Sequence, residues 1–143
     1  MKTIDSKIHS ICYWSILILF GIVNLSCSDN DTPPATSEDV YYVQYQIQSQ
    51  TIYTTTRIAT FTIEDNTSST VHFNTPNRET IIGPVKKGFN ANLKGSYDTQ
   101  GLAQTYIDAY IYVSKNNGPF ALKKFDESSS VRYSVQINYT VDF

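Results

Sequence analysis

The chain has 143 residues and a formal net charge of −2, with 11 Lys and Arg against 13 Asp and Glu. That length gives room for a single domain, and the mild acidity excludes a nucleic-acid binder built on a clustered basic face. Eleven Tyr and seven Phe against six Gly favour a β-rich chain, because aromatic rings suit a half-buried pleated surface.

The N-terminus reads as a processing segment. Lys2 and Lys7 precede the apolar run Ile11 to Val23, which is 13 residues long. A helix needs roughly 20 residues to span a bilayer core, so this run is a secretory signal rather than a membrane span. Leu25-Ser26-Cys27 then resembles a lipobox, with Asn24 where that motif normally carries an aliphatic residue. The resemblance implies cleavage after a signal peptide of residues 1–26 and diacylglycerol on Cys27, hence a membrane partner through that anchor. Two or three acyl chains hold a protein essentially permanently, at about 0.8 kcal/mol per buried methylene. The segment from Ser28 to Asp39 carries no apolar residue larger than Ala or Pro, so 27–39 is expected to be a lipidated cysteine and a disordered tether. Its coil span is about 20 Å and its contour at most about 40 Å. Cys27 followed by Ser28, Asp29, Asn30 and Asp31 is similar to the start of Bacteroidetes lipoproteins, in which such acidic residues mark export to the outer face of the outer membrane. The expected location is therefore the outer membrane, on its periplasmic or cell-surface side. The segment after Cys27 holds no further cysteine, so it has neither an internal disulfide nor a thiol nucleophile.

Residues 40–143 are expected to form one β domain. Tyr41, Val43, Tyr45 and Ile47 alternate with polar residues, which predicts a first strand. Tyr53, Thr55, Arg57, Ala59, Phe61 and Ile63 predict a second, and Glu64 to Ser69 a polar turn. Val71 and Phe73 mark a short third strand, and Thr80 to Ile82 a fourth that stops at Gly83-Pro84. Gly88 opens a fifth, with Phe89, Ala91 and Leu93 inward. Gln104 to Ser114 is the sixth, with Thr105, Ile107, Ala109, Ile111 and Val113 inward. The run from Asn116 to Pro119 is a turn by composition. Val131 to Phe143 alternates without a break and predicts the last strand.

Seven strands without a helical period predict a single seven-stranded antiparallel immunoglobulin-like β-sandwich, with a closed barrel as the alternative. Tyr110 to Gly118 is similar to the sixth strand and following turn of fibronectin type III domains. The segment Gly83 to Phe89 ahead of a Tyr- and Val-rich strand resembles small Bacteroidetes lipoproteins, a resemblance that brings no functional residues to carry over.

The sequence carries few chemical motifs. His72 has no second His or Cys after Cys27 to share a metal or a proton, and fits an outward polar strand position. Glu64-Asp65 and Asp126-Glu127 lack the spacing and glycine of a calcium loop and fit solvated turns. Lys86-Lys87 and Lys123-Lys124 could touch anionic headgroups or glycans, but fit solvated loops better. No Gly-x-Ser-x-Gly elbow or glycine-rich phosphate loop occurs. No catalytic residue, metal or cofactor is expected.

One constellation stands out. Tyr106, Asp108, Tyr110 and Tyr112 share the side of the sixth strand opposite Ile107, Ile111 and Val113, with Tyr42 doing the same on the first. Exposed rings beside a carboxylate suit sugar stacking or a protein interface. The alternative is a strand buried on both faces, or rings covered by a neighbouring loop. The expected function is a non-enzymatic, membrane-tethered binding module of a Gram-negative envelope, docking an envelope protein or a glycan. The second expectation is an accessory or structural subunit of an envelope transport or fimbrial assembly.

Overall fold

The computed structural model describes residues 38–143. The expected signal peptide, the expected lipidation at Cys27 and the expected tether up to residue 37 lie outside the described residues. The strands are β1 (Tyr41–Gln50), β2 (Arg57–Thr62), β3 (Ser68–Phe73), β4 (Asn77–Val85), β5 (Asn90–Tyr97), β6 (Tyr106–Lys115), β7 (Ala121–Asp126) and β8 (Ser134–Thr140). They form two four-stranded sheets, a front sheet ordered β4-β1-β6-β7 and a back sheet ordered β3-β2-β5-β8. All six pairings are antiparallel. Only β2–β3 and β6–β7 are hairpins within one sheet; the other connections cross between the sheets.

Period-two alternation explains the core. On the front sheet, Tyr41, Val43, Tyr45 and Ile47 of β1 oppose Lys115, Val113, Ile111 and Ala109 of β6. The apolar members of both rows are buried. The back sheet answers with Ala59, Phe61, Ala91, Leu93, Val135 and Ile137, also buried. Each large side chain moved out of water contributes about 1.5–3 kcal/mol. Tyrosine hydroxyls join the layers at two points. Tyr45 donates to the Thr62 carbonyl at 2.9 Å, and Tyr97 donates to the Tyr106 and Gln50 carbonyls at 2.9 and 3.2 Å. Gly95 leaves room for this packing: a Cβ there would sit 2.6 Å from Ile47 Cδ1.

The structure corrects four expectations. Among the described residues there are eight strands rather than seven. The added strand, Ala-Leu-Lys-Lys-Phe-Asp of β7, lacks alternation because it is a front-sheet edge with four of its six residues exposed. Its register also slips between Ile111 and Tyr112, which breaks the period. β4 does not stop at Gly83-Pro84 but runs through it to Val85. An edge strand tolerates proline, and the register of β4 against β1 shifts at this point. Gly83 has φ of 131°, and a Cβ there would lie 2.8 Å from the Tyr41 carbonyl oxygen. Tyr53 and Thr55 belong to the loop before β2, because the chain must cross from front to back sheet over about 10 Å. Val131 precedes β8 and is exposed, the chain there being drawn aside by the Arg132 backbone N–H donating to the Thr105 carbonyl at 2.9 Å.

The sandwich has two distinct ends. At the near end the chain comes in: Asn116 exchanges two hydrogen bonds with Val40, at 2.8 and 3.0 Å. Asp39 pairs there with Lys115 at 2.6 Å and Glu38 with Lys86 at 2.7 Å. These partners hold both carboxyls below their usual range, Glu38 chiefly through the bond from Lys86 and Asp39 through those from Lys115 and Asn116. At the far end lie the loops after β1, β3, β5 and β7.

Candidate functional site

The outward side of the front sheet is a set of cross-strand rows. Ile81, Gln44, Tyr112 and Leu122 form one, and Glu79, Gln46, Tyr110 and Phe125 the next. Asn77, Gln48 and Asp108 follow, then Gln50 and Tyr106 at the far end. Neighbouring rows stand about 7 Å apart along each strand, and neighbouring strands about 4.8 Å apart. Tyr106, Asp108, Tyr110 and Tyr112 are therefore brought together on one face, flanked by four glutamines of β1.

Their exposure is uneven. Tyr106, Asp108 and Tyr112 are half-buried, whereas Tyr110 is only 8% exposed. Tyr110 lies beside Tyr112 with ring centroids 6.4 Å apart and an interplanar angle of 25°. Its hydroxyl donates to Glu127 Oε1 at 2.8 Å. Burial first, and then the Glu127 carboxylate, push its ionisation well above that of an ordinary phenol. Tyr110 is thus a fixed floor for the face, while Ile81, Leu122 and Phe125 are 57%, 46% and 54% exposed and form its apolar surface.

Asp108 is held rather than loose. Arg132 Nη2 donates to Asp108 Oδ1 at 2.9 Å, and the Ser128 backbone N–H donates to the same oxygen at 3.1 Å. Arg132 also donates to the Ile107 carbonyl at 2.6 Å, Asp126 Oδ1 at 2.8 Å and the Asp126 carbonyl at 2.7 Å. One guanidinium therefore ties β6, the end of β7 and the loop before β8 together, a use of its fixed fork of donors. Alternation alone makes Arg132 look like an outward strand residue, and nothing local signals the clasp.

A depression of about 500 Å³ opens at the far end of this face. Gln48, Gln50, Asn77 and Ser128 line it together with Tyr106 and Asp108. Sequence does not single out these residues, because outward polar residues on a strand, such as Gln48, Gln50 and Asn77, and a serine in a loop, such as Ser128, carry no local mark. Behind them sits Arg57, a buried cation that donates to Ser49 Oγ at 2.8 Å and to the Thr55 and Asn74 carbonyls at 3.1 and 3.0 Å. Its guanidinium lies 5.4 Å from the Tyr97 ring centroid.

The outward side of the back sheet differs in kind. Its rows are His72, Ile58, Ser96 and Ser134, then Thr70, Thr60, Lys94 and Gln136, with Asn92 opposite Asn138 and Asn90 opposite Thr140. None of these is Tyr, Phe or Trp. His72 stands exposed in an edge strand of this face. Among the described residues no group of three His, Cys, Asp or Glu gathers that could hold a metal ion.

The chain matches no family model, no curated protein and no solved structure.

Proposed function

We propose that this protein is a lipid-tethered, non-enzymatic binding module of a Gram-negative cell envelope. Lipid on Cys27 anchors it to the outer membrane, and the outward face of the front sheet docks an envelope protein or a glycan. The observation that carries this reading is the concentration of large rings and exposed apolar side chains on one face only. Tyr112, Phe125, Leu122 and Ile81 share that face, while the opposite one is hydroxyl and amide throughout except for Ile58, His72 and Lys94. Rigid aromatic anchors in a clustered patch are the groups that contribute most to recognition. The sandwich suits the role as a rigid frame. We place it with eight-stranded jelly-roll-type sandwiches rather than with the seven-stranded immunoglobulin arrangement, because most of its connections cross between sheets.

The test is photo-crosslinking in intact cells. A photoreactive phenylalanine analogue at Phe125 or Tyr112 should yield an adduct, and the same analogue at Thr60 or Gln136 should yield none. Adducts from the back sheet alone, or from neither face, contradict the reading. The anchor is tested by Cys27→Ala, which should move the protein out of the membrane fraction; retention there places the anchor elsewhere.

A further inference from the structure

We propose that the far-end depression of the front face is a subsite for one sugar unit of a neutral polysaccharide. The inference rests on the front face being the docking surface and goes on to name the ligand class. The lining carries the argument. Gln48, Gln50 and Asn77 offer carboxamides, each able to donate and to accept, beside the Ser128 hydroxyl. A sugar hydroxyl likewise donates and accepts, so amides match it in either sense. Tyr106 supplies a half-buried ring, against which the apolar C–H face of a pyranose can lie. Among the described residues, both hydrogen bonds to the Asp108 carboxylate end on Oδ1. Oδ2 is left to accept a charge-assisted bond from a ligand hydroxyl.

The same lining argues against other ligands. No Lys or Arg lines the depression: Arg132 is committed to Asp108, Asp126 and two carbonyls, Arg57 to Ser49 and two carbonyls, and Arg78, next to Asn77, opposes Ile47 rather than the outward row of Gln48. A phosphate, sulfate or uronate would meet Asp108 with no cation in the lining to offset it. A protein hot spot needs an apolar pocket, and no aliphatic side chain lines this one. The walls are also fixed before binding. Ser49 N–H and Oγ both donate to the Pro76 carbonyl at 2.8 Å, next to Asn77, while Ser128 is held to Asp108. Such preorganisation lowers the entropy cost of binding. The larger depression on the back sheet shares the amides and hydroxyls, through Thr60, Asn90 and Asn92, but its one ring, Phe61, is buried in the core and Lys94 adds a cation to its lining. The depression lies at the end where β1 finishes and β6 begins, opposite the end that holds Val40.

The test is calorimetric titration of the full chain in a sugar-free detergent. The probes are xylohexaose, mannohexaose and cellohexaose, with hexagalacturonate as the anionic comparator. At least one neutral oligosaccharide should bind, and hexagalacturonate should bind more weakly than it. Asn77→Ala, Gln50→Ala and Tyr106→Ala should each weaken binding roughly three- to tenfold, the loss of one hydrogen bond or one ring contact. Thr60→Ala and Gln136→Ala should leave it unchanged. Both Asn77 and Gln50 are exposed, so those variants keep the fold even if Tyr106→Ala does not. The proposal is overturned if no neutral oligosaccharide binds, if hexagalacturonate binds tightest, or if neither Asn77→Ala nor Gln50→Ala weakens binding. A protein adduct from Phe125 without sugar binding would remove the subsite and keep the docking face. Loss of both would remove the two together.

Discussion

The two sheets of this sandwich are alike inside and unlike outside. Inward, both present alternating Val, Ile, Leu and aromatic side chains that are buried to a similar degree. Outward, the back sheet shows Thr, Asn and Ser, while the front sheet shows Tyr, Gln and three exposed apolar side chains. The inner faces answer to packing, which constrains both sheets equally. The outer faces are released from that constraint, so a difference between them carries information about what they meet. A monomer that needed only solubility would gain nothing from Phe125 and Leu122 on an exposed edge strand.

The inner equivalence predicts the largest effects. Ile111→Ala on the front sheet and Leu93→Ala on the back sheet should each cost about 2–5 kcal/mol in denaturant unfolding. A much smaller loss on one side would mean that the core belongs mainly to the other sheet. Arg132→Ala comes next, at about 2–4 kcal/mol, because it strands Asp108 and Asp126 and opens the clasp at the far end of the front face. Near-wild-type unfolding would show that clasp to be ornamental. Tyr45→Phe, which removes the bond from front sheet to back sheet at Thr62, should cost about 1–2 kcal/mol.

Alkaline pH gives a milder probe of the same layering. Burial first, and then carboxylates, raise the phenols of Tyr45 and Tyr110 above their ordinary value of 10.0, and burial with Asp142 raises Tyr139 to about 12. The folded state therefore keeps protons that the unfolded chain gives up. The stability they contribute is complete below pH 10 and is lost as pH rises from there. Ultraviolet titration should show a late tyrosinate step coincident with unfolding. Tyr45→Phe should remove part of it.

Much of this fold is legible in the residues. β1, β5, β6 and most of β8 alternate because one side of each meets the core, and pairing follows that pattern. β7 is illegible because neither of its sides is buried as a row and its backbone pairs with β6 alone. Gly83-Pro84 misleads because proline ends central strands, whereas here it lies on an edge. The strand order depends on partners far apart in sequence, such as β1 with both β4 and β6, and no local signal encodes it. The tyrosine row on β6 is visible from its spacing. The depression is not, since Gln48, Asn77 and Ser128 come from β1, β4 and the loop before β8 and are neighbours only in the folded chain.

The smallest expected change in stability accompanies the most informative measurement. Leu122→Lys with Phe125→Lys on the front sheet, and Ser134→Lys with Asn138→Lys on the back sheet, where the strand partners are the uncharged Ser96 and Asn92, all fall at exposed positions. Both double variants should unfold within about 0.5 kcal/mol of the parent protein. The measurement is recovery of crosslinked envelope partner from cells carrying each pair, with Tyr112 as the shared crosslinking position. The front-sheet pair should abolish the adduct and the back-sheet pair should preserve it. Equal adduct from both, or loss only from the back-sheet pair, would contradict a docking surface on the front sheet.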